Sequence, residues 1–389
     1  MEEKTVQKSK SFKIPIDEYM KDMDTVSSKD KKKEILNLFA NNNLLSKEEF
    51  REIEEELHIA CRDGDIELIK IYLNETIKDA SKYFTFKIDR TNQTASLFKV
   101  NRKVKDLIVP RTVKHESTDY LITSVSGSCI NIASIKFVED SAVKTFYKQL
   151  FSIWSEIQEI YIPSSLKELK EGWCLNTDYL KKIEISPMND QFVFKENKYL
   201  LGKSEQSNNE FDVLLFACRD IEEISIPSNI KIISSFAFYK CRKLKKVEIP
   251  QNSNLQTIGR YAFTNSIIDR IFIPSKVSKI CEKAFLNCWG LTKVEIPQNS
   301  NLQTIEKNVF DYSKIKEIYI PSSLKELKDG WCCFTEHLTK IEISPLNDQF
   351  VFKEDKYLLG KSEQSNNEYD VLLFARRDIE EISIPPNIK

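Results

Sequence analysis

Two stretches, IEEISIPSNIKIISSFAFYKC at residues 221–241 and IDRIFIPSKVSKICEKAFLNC at residues 268–288, share one spacing of apolar residues, proline and cysteine. In the second stretch Ile271 and Ile273 alternate with other residues at period 2, which predicts a short strand with one apolar face. Pro274 cannot donate a hydrogen bond to a neighbouring strand, so it ends the strand. The Ala-Phe pair that precedes the cysteine then closes a compact coil on its opposite side.

The same coil recurs along most of the chain. Apolar runs such as IYIP, VEIP and IFIP end in prolines that follow one another, from Pro163 to Pro385, at steps of 24, 40, 23, 24, 23, 24, 24 and 40 residues. Two weaker coils precede them and end at Pro110 and Val138. One coil cannot bury its apolar face alone, so the coils must stack, with Ile on Ile and Phe on Phe. The pattern predicts a mainly β solenoid of parallel strands over residues 105–389.

A longer duplication contains these coils. Residues 157–231 recur as residues 315–389, with 63 of 75 positions identical. Each 40-residue step is one coil with a hairpin insert, at 188–220 and again at 346–378. Both inserts contain two apolar runs around a polar loop, which predicts strands joined by that loop. The candidate insert-loop residues are Lys203, Glu210, Lys361 and Glu368.

The coil resembles the leucine-rich repeats of the BspA-like type, in which proline, an Ala-Phe pair and a cysteine slot recur in register. The resemblance covers about three quarters of the chain, from residue 105 or so to the end. The EGWC and DGWC coils, at 171–174 and 329–332, depart from the Ala-Phe pattern. Members of this family look like surface antigens or adhesins of bacteria and flagellated protists. The resemblance therefore implies a non-enzymatic surface protein that binds protein or glycan ligands.

The N-terminal region differs in kind. Residues 1–28 are polar and are expected to be disordered, and residues 29–81 are expected to be helical. Within the latter, LHIACRDGDIELIKIYL resembles one ankyrin repeat, which cannot stand alone. It is interpreted either as a helical cap on the open end of the solenoid or as a separate docking module. Residues 82–104 predict a strand pair that leads into the first coil.

Composition limits the partners and the location. The charge is nearly balanced, with a net charge of −1, which argues against nucleic acid or an anionic membrane as an obligate partner. No apolar signal segment and no run of 18 apolar residues is visible, so no transmembrane helix is expected. The location stays open: the family resemblance implies the cell surface, whereas the lack of a visible signal favours the cytoplasm.

Chemistry-bearing motifs are not found in the sequence. There is no phosphate-binding glycine loop, no dinucleotide fingerprint and no nucleophile elbow, and only 3 histidines occur, so neither an enzyme, a metal site nor a cofactor is expected. Of the 9 cysteines, Cys129, Cys241 and Cys288 occupy the repeat slot, which Ser266 and Ser313 take in other coils. This interchange indicates small, partly buried thiols rather than disulfides. Cys333 and His337 differ from their counterparts in the first copy and are interpreted as filler or solvent positions.

Residues between the two inward positions of each strand must point outward. This outer row was expected to form a continuous stripe of parallel strands, and aromatic side chains interleaved with charge favour protein binding. The alternative is a solvated sheet face of mixed charge. The candidate ligand-binding residues on this row are Tyr161, Glu184, Glu248, Phe272, Glu295, Tyr319 and Glu342, with Ser225 and Ser383 at the remaining positions.

Two hypotheses of function follow. The first is a leucine-rich-repeat adhesin that binds protein or glycan ligands. The alternative is an intracellular protein-interaction scaffold, which the missing signal, the cysteines and the ankyrin-like segment favour. At the other end Lys389 aligns with Lys231, in the middle of a coil, so a fragment or truncated copy is expected, the alternative being a last coil that a partner completes. Residues 379–389 are expected to fray, or to self-associate through this uncapped coil.

Overall fold

The computed structural model describes residues 3–5, 84–100, 105–115, 118–126, 132–148, 150–151, 156–205, 209–362, 368–381, 383, 386 and 388. The described chain divides into two compact units, Met1–Gln191 and Phe192–Lys389. The predicted ankyrin-like helical segment, 29–81, lies outside the described residues. Of the segment expected to be disordered, only Glu3–Thr5 is described, and there the chain is a strand rather than loose.

The first unit is built from eleven described strands. They are β1 (Glu3–Thr5), β2 (Phe84–Asp89), β3 (Thr94–Val100), β4 (Asp106–Val109), β5 (Thr112–His115), β6 (Thr118–Val125), β7 (Ser134–Phe137), β8 (Thr145–Phe146), β9 (Glu159–Ile162), β10 (Glu168–Leu169) and β11 (Lys182–Ile185).

The strands of the first unit form two sheets, and the predicted strand pair is present. β2 and β3 are antiparallel, and β3 then pairs in parallel with β6 and so joins the hairpin to the coils. One sheet runs in the order β1-β2-β3-β6-β8-β10, with β5 beside β6, and the other in the order β11-β9-β7-β4. The second sheet is parallel throughout, as expected for successive coils of a solenoid.

The second unit contains seventeen described strands. They are β12 (Phe192–Lys195), β13 (Tyr199–Gly202), β14 (Val213–Ala217), β15 (Glu223–Ser225), β16 (Ile232–Ile233), β17 (Lys246–Glu248), β18 (Thr257–Ile258), β19 (Arg270–Phe272), β20 (Lys279–Ile280), β21 (Lys293–Glu295), β22 (Thr304–Ile305), β23 (Glu317–Ile320), β24 (Glu326–Leu327), β25 (Lys340–Ile343), β26 (Phe350–Lys353), β27 (Tyr357–Gly360) and β28 (Val371–Ala375).

Each coil of the second unit contributes one strand of three or four residues and one of two residues. The two-residue strands extend one sheet from β14, in the order β16-β18-β20-β22-β24. The longer strands pair two by two, as β15-β17, β19-β21 and β23-β25. The expected continuous stripe is therefore wrong at the level of the backbone, because the described strands leave unpaired gaps between β17 and β19 and between β21 and β23. The strand after each gap, β19 or β23, follows a serine in the repeat's cysteine slot, Ser266 or Ser313. The connection from that serine to the strand is one residue shorter than the connection from a cysteine slot to β17 or β21.

The core of the second unit is a column of stacked aromatic rings. Phe238, Phe263, Phe285 and Phe310 lie in successive coils and are buried. Their ring centroids are 4.7, 5.2 and 5.6 Å apart, with planes within 10° of parallel. Trp331 continues the column edge-on at 6.4 Å from Phe310, which is how the Trp coil departs from the Ala-Phe pattern. The predicted stacking of Phe on Phe is confirmed.

The turn around each buried Phe has two residues in the left-handed region. In successive coils, backbone N–H groups on this turn donate to carbonyls of the next coil, as from Phe263 to Ala284 (2.7 Å) and from Asn265 to Leu286 (3.0 Å). The second left-handed position is held by Lys240, Asn265, Asn287, Tyr312 and Phe334, with φ of 60, 60, 57, 57 and 56°. Its side chain is consequently presented in the same way in every coil.

The inserts are three-stranded antiparallel sheets, β12-β13-β14 and β26-β27-β28, so the predicted strands are confirmed. In the first copy β14 also pairs in parallel with β16, with Val213 opposite Ile232. Among the described strands β28 pairs with β27 only, and Val371, the counterpart of the buried Val213, is half-buried. Self-association through this edge stays a prediction.

Candidate functional site

The outward-facing strand residues form what we call the strand face. In the first unit Tyr161 on β9 lies directly opposite Glu184 on β11. Tyr161 is half-buried, and Glu184 is exposed and paired with Lys182 at 2.5 Å. This ion pair raises the pKa of Lys182 above its usual value. The sequence-predicted register of the two candidates is thus present in this unit.

In the second unit the same register brings aromatic residues opposite glutamates. Phe272 faces Glu295 across β19 and β21, and Tyr319 faces Glu342 across β23 and β25. Ser225 faces Glu248 in the same manner. The alternation follows from the sequence, because every second coil has a glutamate between its two inward residues.

Four of the seven sequence-predicted residues line one pocket. It has a volume of about 360 Å³ and lies over the gap between β21 and β23. Its floor consists of Val294, Ile296 and Ile318, which are buried. The predicted residues on its walls are Phe272, Glu295, Tyr319 and Glu342, and the remaining lining residues are Lys293, Pro297, Glu317 and Lys340.

The charges of the strand-face pocket are largely paired. Lys293 Nζ lies 3.3 Å from Glu295 Oε1, and Lys340 Nζ lies 3.4 Å from Glu317 Oε2 and 3.9 Å from Glu342 Oε2. These pairs are exposed, and each stabilises the fold by no more than about 1 kcal/mol. Their carboxylates and ammonium groups can therefore exchange partners with a ligand at small cost, while Phe272 and Tyr319 supply the apolar contact.

Glu248 stands apart from the pocket. It is exposed and pairs with Lys246 at 2.5 Å, as the sequence predicts, and the glutamate raises the pKa of that lysine. It is not among the residues that line the pocket.

The insert loops are held at their base by a buried aspartate. Asp212 accepts hydrogen bonds from the backbone N–H and the hydroxyl of Ser204, both at 2.8 Å, and Lys231 lies 3.0 Å away. Burial alone would raise the pKa of Asp212, but these donors lower it overall. Asp370 and Ser362 repeat the arrangement in the second copy.

The predicted loop residues flank this anchor without forming a common site. Lys203 donates to Asn209 at 2.5 Å and lies 5.1 Å from the Phe211 ring centroid. Lys361 lies 5.2 Å from the ring of Tyr369, and Glu210 and Glu368 are exposed. The tips of both loops, 206–208 and 363–367, lie outside the described residues.

A second group of aromatic side chains was not singled out from the sequence. Trp289, Tyr312 and Phe334 are 55, 38 and 60% exposed, although they neighbour the buried Phe column. The signal that was available is that Phe334 replaces Asn176 of the first copy.

The cysteines conform to the thiol expectation. Cys174, Cys218, Cys241, Cys281, Cys288, Cys332 and Cys333 form no disulfides, and Cys61 and Cys129 lie outside the described residues. Burial raises the pKa of the Cys218 and Cys288 thiols to about 12. Thiols with such pKa values are poor nucleophiles at neutral pH.

Comparison with known proteins identifies the family. The model of the BspA type leucine rich repeat region matches six copies over residues 95–200 and 210–343, so the chain belongs to this family. It is a repeat-based binding protein of a fold whose members are typically non-enzymatic. No match was found among curated proteins.

Solved structures with a similar course of the chain include three bacterial proteins. A leucine rich cell surface protein of Faecalibacterium prausnitzii A2-165 is 18% identical over 67% of this chain and 75% of its own, with a TM-score of 0.38. The pneumococcal vaccine antigen PcpA is 16% identical over 69 and 81%, with a TM-score of 0.38. A leucine-rich repeat protein of Eubacterium ventriosum is 16% identical over 65 and 93%, with a TM-score of 0.34.

In the part of the chain that the structure describes, no helix has the length and apolar character that spanning a membrane requires. Within the same part, no three His, Cys, Asp or Glu side chains converge in a way that could hold a metal ion.

Proposed function

We propose that this chain is an adhesin that binds a protein ligand at the cell surface, through the strand-face pocket. The observation that carries the proposal is the pocket itself, in which Phe272 and Tyr319 stand beside paired charges over an apolar floor. Aromatic anchors surrounded by a polar rim are typical of the residues that dominate protein–protein affinity. A pocket of about 360 Å³ is of the size that takes one or two side chains of a partner.

The chain acts, in this proposal, by binding alone. The sequence lacks the motifs of nucleophilic, phosphoryl-transfer and dinucleotide chemistry, and the candidate glutamates are engaged with lysines on the same face. Exposed carboxylates that pair with lysines on the same face suit recognition better than general acid catalysis.

The direct test is an array of extracellular proteins and glycans probed with the full chain and with the double variant Phe272→Ser/Tyr319→Ser. Each aromatic anchor is expected to contribute about 2 kcal/mol or more, so the double variant should lose a protein ligand by at least about 100-fold. Tyr179→Ser, which removes a ring that is 59% exposed elsewhere, is the matched control and should bind as the wild type does. Equal binding by the double variant refutes the site, and binding to glycans alone refutes the ligand class.

An intracellular scaffold is the second candidate. It is supported by the thiols, because disulfides accumulate in oxidising compartments and none joins the cysteines that are described. Intact cells would be treated with protease and probed with an antibody to the loop that begins at Lys203. Loss of the band supports the surface adhesin, whereas a protected band in intact cells, cleaved after permeabilisation, supports the scaffold.

A further inference from the structure

The turn after the buried Phe carries a row of side chains that the strand face does not use. We define this turn row as Asn265, Asn287, Tyr312 and Phe334, with Trp289 beside them. The first four share the left-handed position of successive coils, and none of the five lines the strand-face pocket.

The aromatic members of the turn row are in contact with one another. Tyr312 and Phe334 stack with centroids 4.6 Å apart and planes 6° from parallel. Trp289 lies 5.8 Å from Tyr312 at a tilt of 39°. The three rings thus form a strip along the stacking direction, spanning two coil steps, or about 10 Å at the spacing of parallel strands.

Two rings of the strip, those of Tyr312 and Phe334, occupy positions at which the backbone favours other residues. Asparagine tolerates the left-handed region, whereas a bulky aromatic residue there is uncommon and strained. The first copy has Asn176 at the position of Phe334, with φ of 62°, and its side chain donates to the Phe151 carbonyl at 3.1 Å. The second copy has exchanged that hydrogen bond for a ring that is mostly exposed.

Divergence between the two copies is concentrated on this turn. Of the twelve positions that differ between residues 157–231 and 315–389, six fall within the eleven residues 171–181 and their counterparts 329–339. Because Phe334 buries little surface and occupies a strained position, core packing does not account for the change. Strained residues that the fold does not require point to a function of the side chain.

The polar groups of the turn row include several hydrogen-bond donors. Asn287 Nδ2 donates to Asn265 Oδ1 at 3.2 Å, which leaves the Asn265 amide N–H groups available. Among the described residues, none accepts from the Trp289 indole N–H or the Tyr312 hydroxyl. The C–H edges of stacked rings are also electropositive. No side chain of the row is charged.

We infer that the turn row binds a proline-rich segment in the polyproline II conformation. Such a segment has backbone carbonyls with no internal partner and, at proline, no N–H group, so it offers acceptors to a surface of donors. The proline-rich segment is uncharged, and so are the side chains of the turn row. Its repeat of three residues spans about 9 Å, close to the length of the three-ring strip. Aromatic strips are a recurrent means of recognising this conformation.

The test uses acetylated, amidated decaproline and the full chain. Trp289 is exposed and Trp173 and Trp331 are buried, and Trp154, which lies outside the described residues, is replaced by Phe in all samples. Binding is then expected to shift the tryptophan emission to the blue, with saturation below about 1 mM. Phe334→Asn and Tyr312→Asn introduce the residue that neighbouring coils place at this position, so the relief of left-handed strain should offset part of the lost stacking and each variant should still unfold cooperatively. Each is expected to weaken decaproline binding about tenfold.

Tyr179→Ser again serves as the exposed-aromatic control and should leave the titration unchanged. A Gly-Ser decapeptide should not bind. The inference is overturned by an absence of decaproline binding at about 1 mM, or by equal affinity of wild type and Phe334→Asn. It is likewise overturned if a neutral glucose hexamer binds the row while decaproline does not, which would assign the strip to a glycan. Because Phe272→Ser/Tyr319→Ser should bind decaproline normally, failure here is distinguishable from failure of the strand-face proposal.

Discussion

Replacing Phe285 by Leu should show how strongly the stacked rings of neighbouring coils stabilise one another. Leu retains an apolar side chain, so the main loss is the stacking of Phe285 on Phe263 at 5.2 Å and on Phe310 at 5.6 Å. Aromatic pairs contribute about 0.5–1.5 kcal/mol each beyond burial, so the variant should lose about 1–3 kcal/mol in its free energy of unfolding. Urea denaturation followed by circular dichroism measures this loss.

Two double-mutant cycles then separate neighbours from distant rings. Phe285 and Phe310 are in contact, so their Leu variants should couple by about 0.5–1.5 kcal/mol. Phe238 and Phe310 share no ring partner and should be additive within about 0.5 kcal/mol. A solenoid in which each coil contacts only its neighbours requires this difference. Equal coupling in the two cycles, or a loss well under 1 kcal/mol for Phe285→Leu alone, would refute the reasoning.

Three further predictions concern stability. Burial raises the pKa of Asp311 although a hydrogen bond from Asn308 lowers it, so ionisation of this carboxyl opposes folding, and its contribution to stability should be lost as pH rises from about 4 through that raised pKa. Asp311→Asn should make the free energy of unfolding fall less over this pH range in urea titrations, and an unchanged pH dependence would contradict the reasoning. A Cβ at Gly259 would lie 2.5 Å from the backbone nitrogen of Ser235 in the preceding coil. Gly259→Ala should therefore lower the melting temperature measured by calorimetry. An unchanged melting temperature would show that the two coils can move apart to admit the methyl group. Asn347 is buried, and its Nδ2 donates to two backbone carbonyls at 2.7 and 2.9 Å. Asn347→Ala should therefore lower the free energy of unfolding, measured by urea denaturation, by about 1–3 kcal/mol. A loss near zero would mean that water replaces the amide.

The coil architecture could be predicted because its determinants are local. Proline ends each longer strand, and the apolar spacing sets which residues face inward, so the buried Ile271, Ile273 and Phe285 follow from the sequence. The splitting of the strand face into pairs could not be predicted so simply. It depends on connections that differ by one residue, and on how that difference shifts the backbone of β19 and β23 relative to the preceding strand.

The candidate site could be predicted in part, again because the direction of each strand side chain is set locally by the sequence. Alternation placed Phe272, Glu295 and Tyr319 on one face, and the structure brings them to one pocket. The pocket itself depends on the gap between β21 and β23. The turn row could not be predicted, because the exposure of its side chains depends on a left-handed backbone position. Comparison of the two sequence copies does not show that Phe334 lies outside the column of buried Phe rings.

Hydrogen exchange would test most directly whether the strand face holds the ligand. The full chain would be exchanged with and without the strongest protein ligand of the array, and the peptides covering β19 and β23 compared with those covering the turn row and the insert loops. The account predicts slower exchange in peptides that contain Phe272 and Tyr319, and little change at Phe334. Protection confined to the turn row or to the insert loops, with none at β19 and β23, would contradict it.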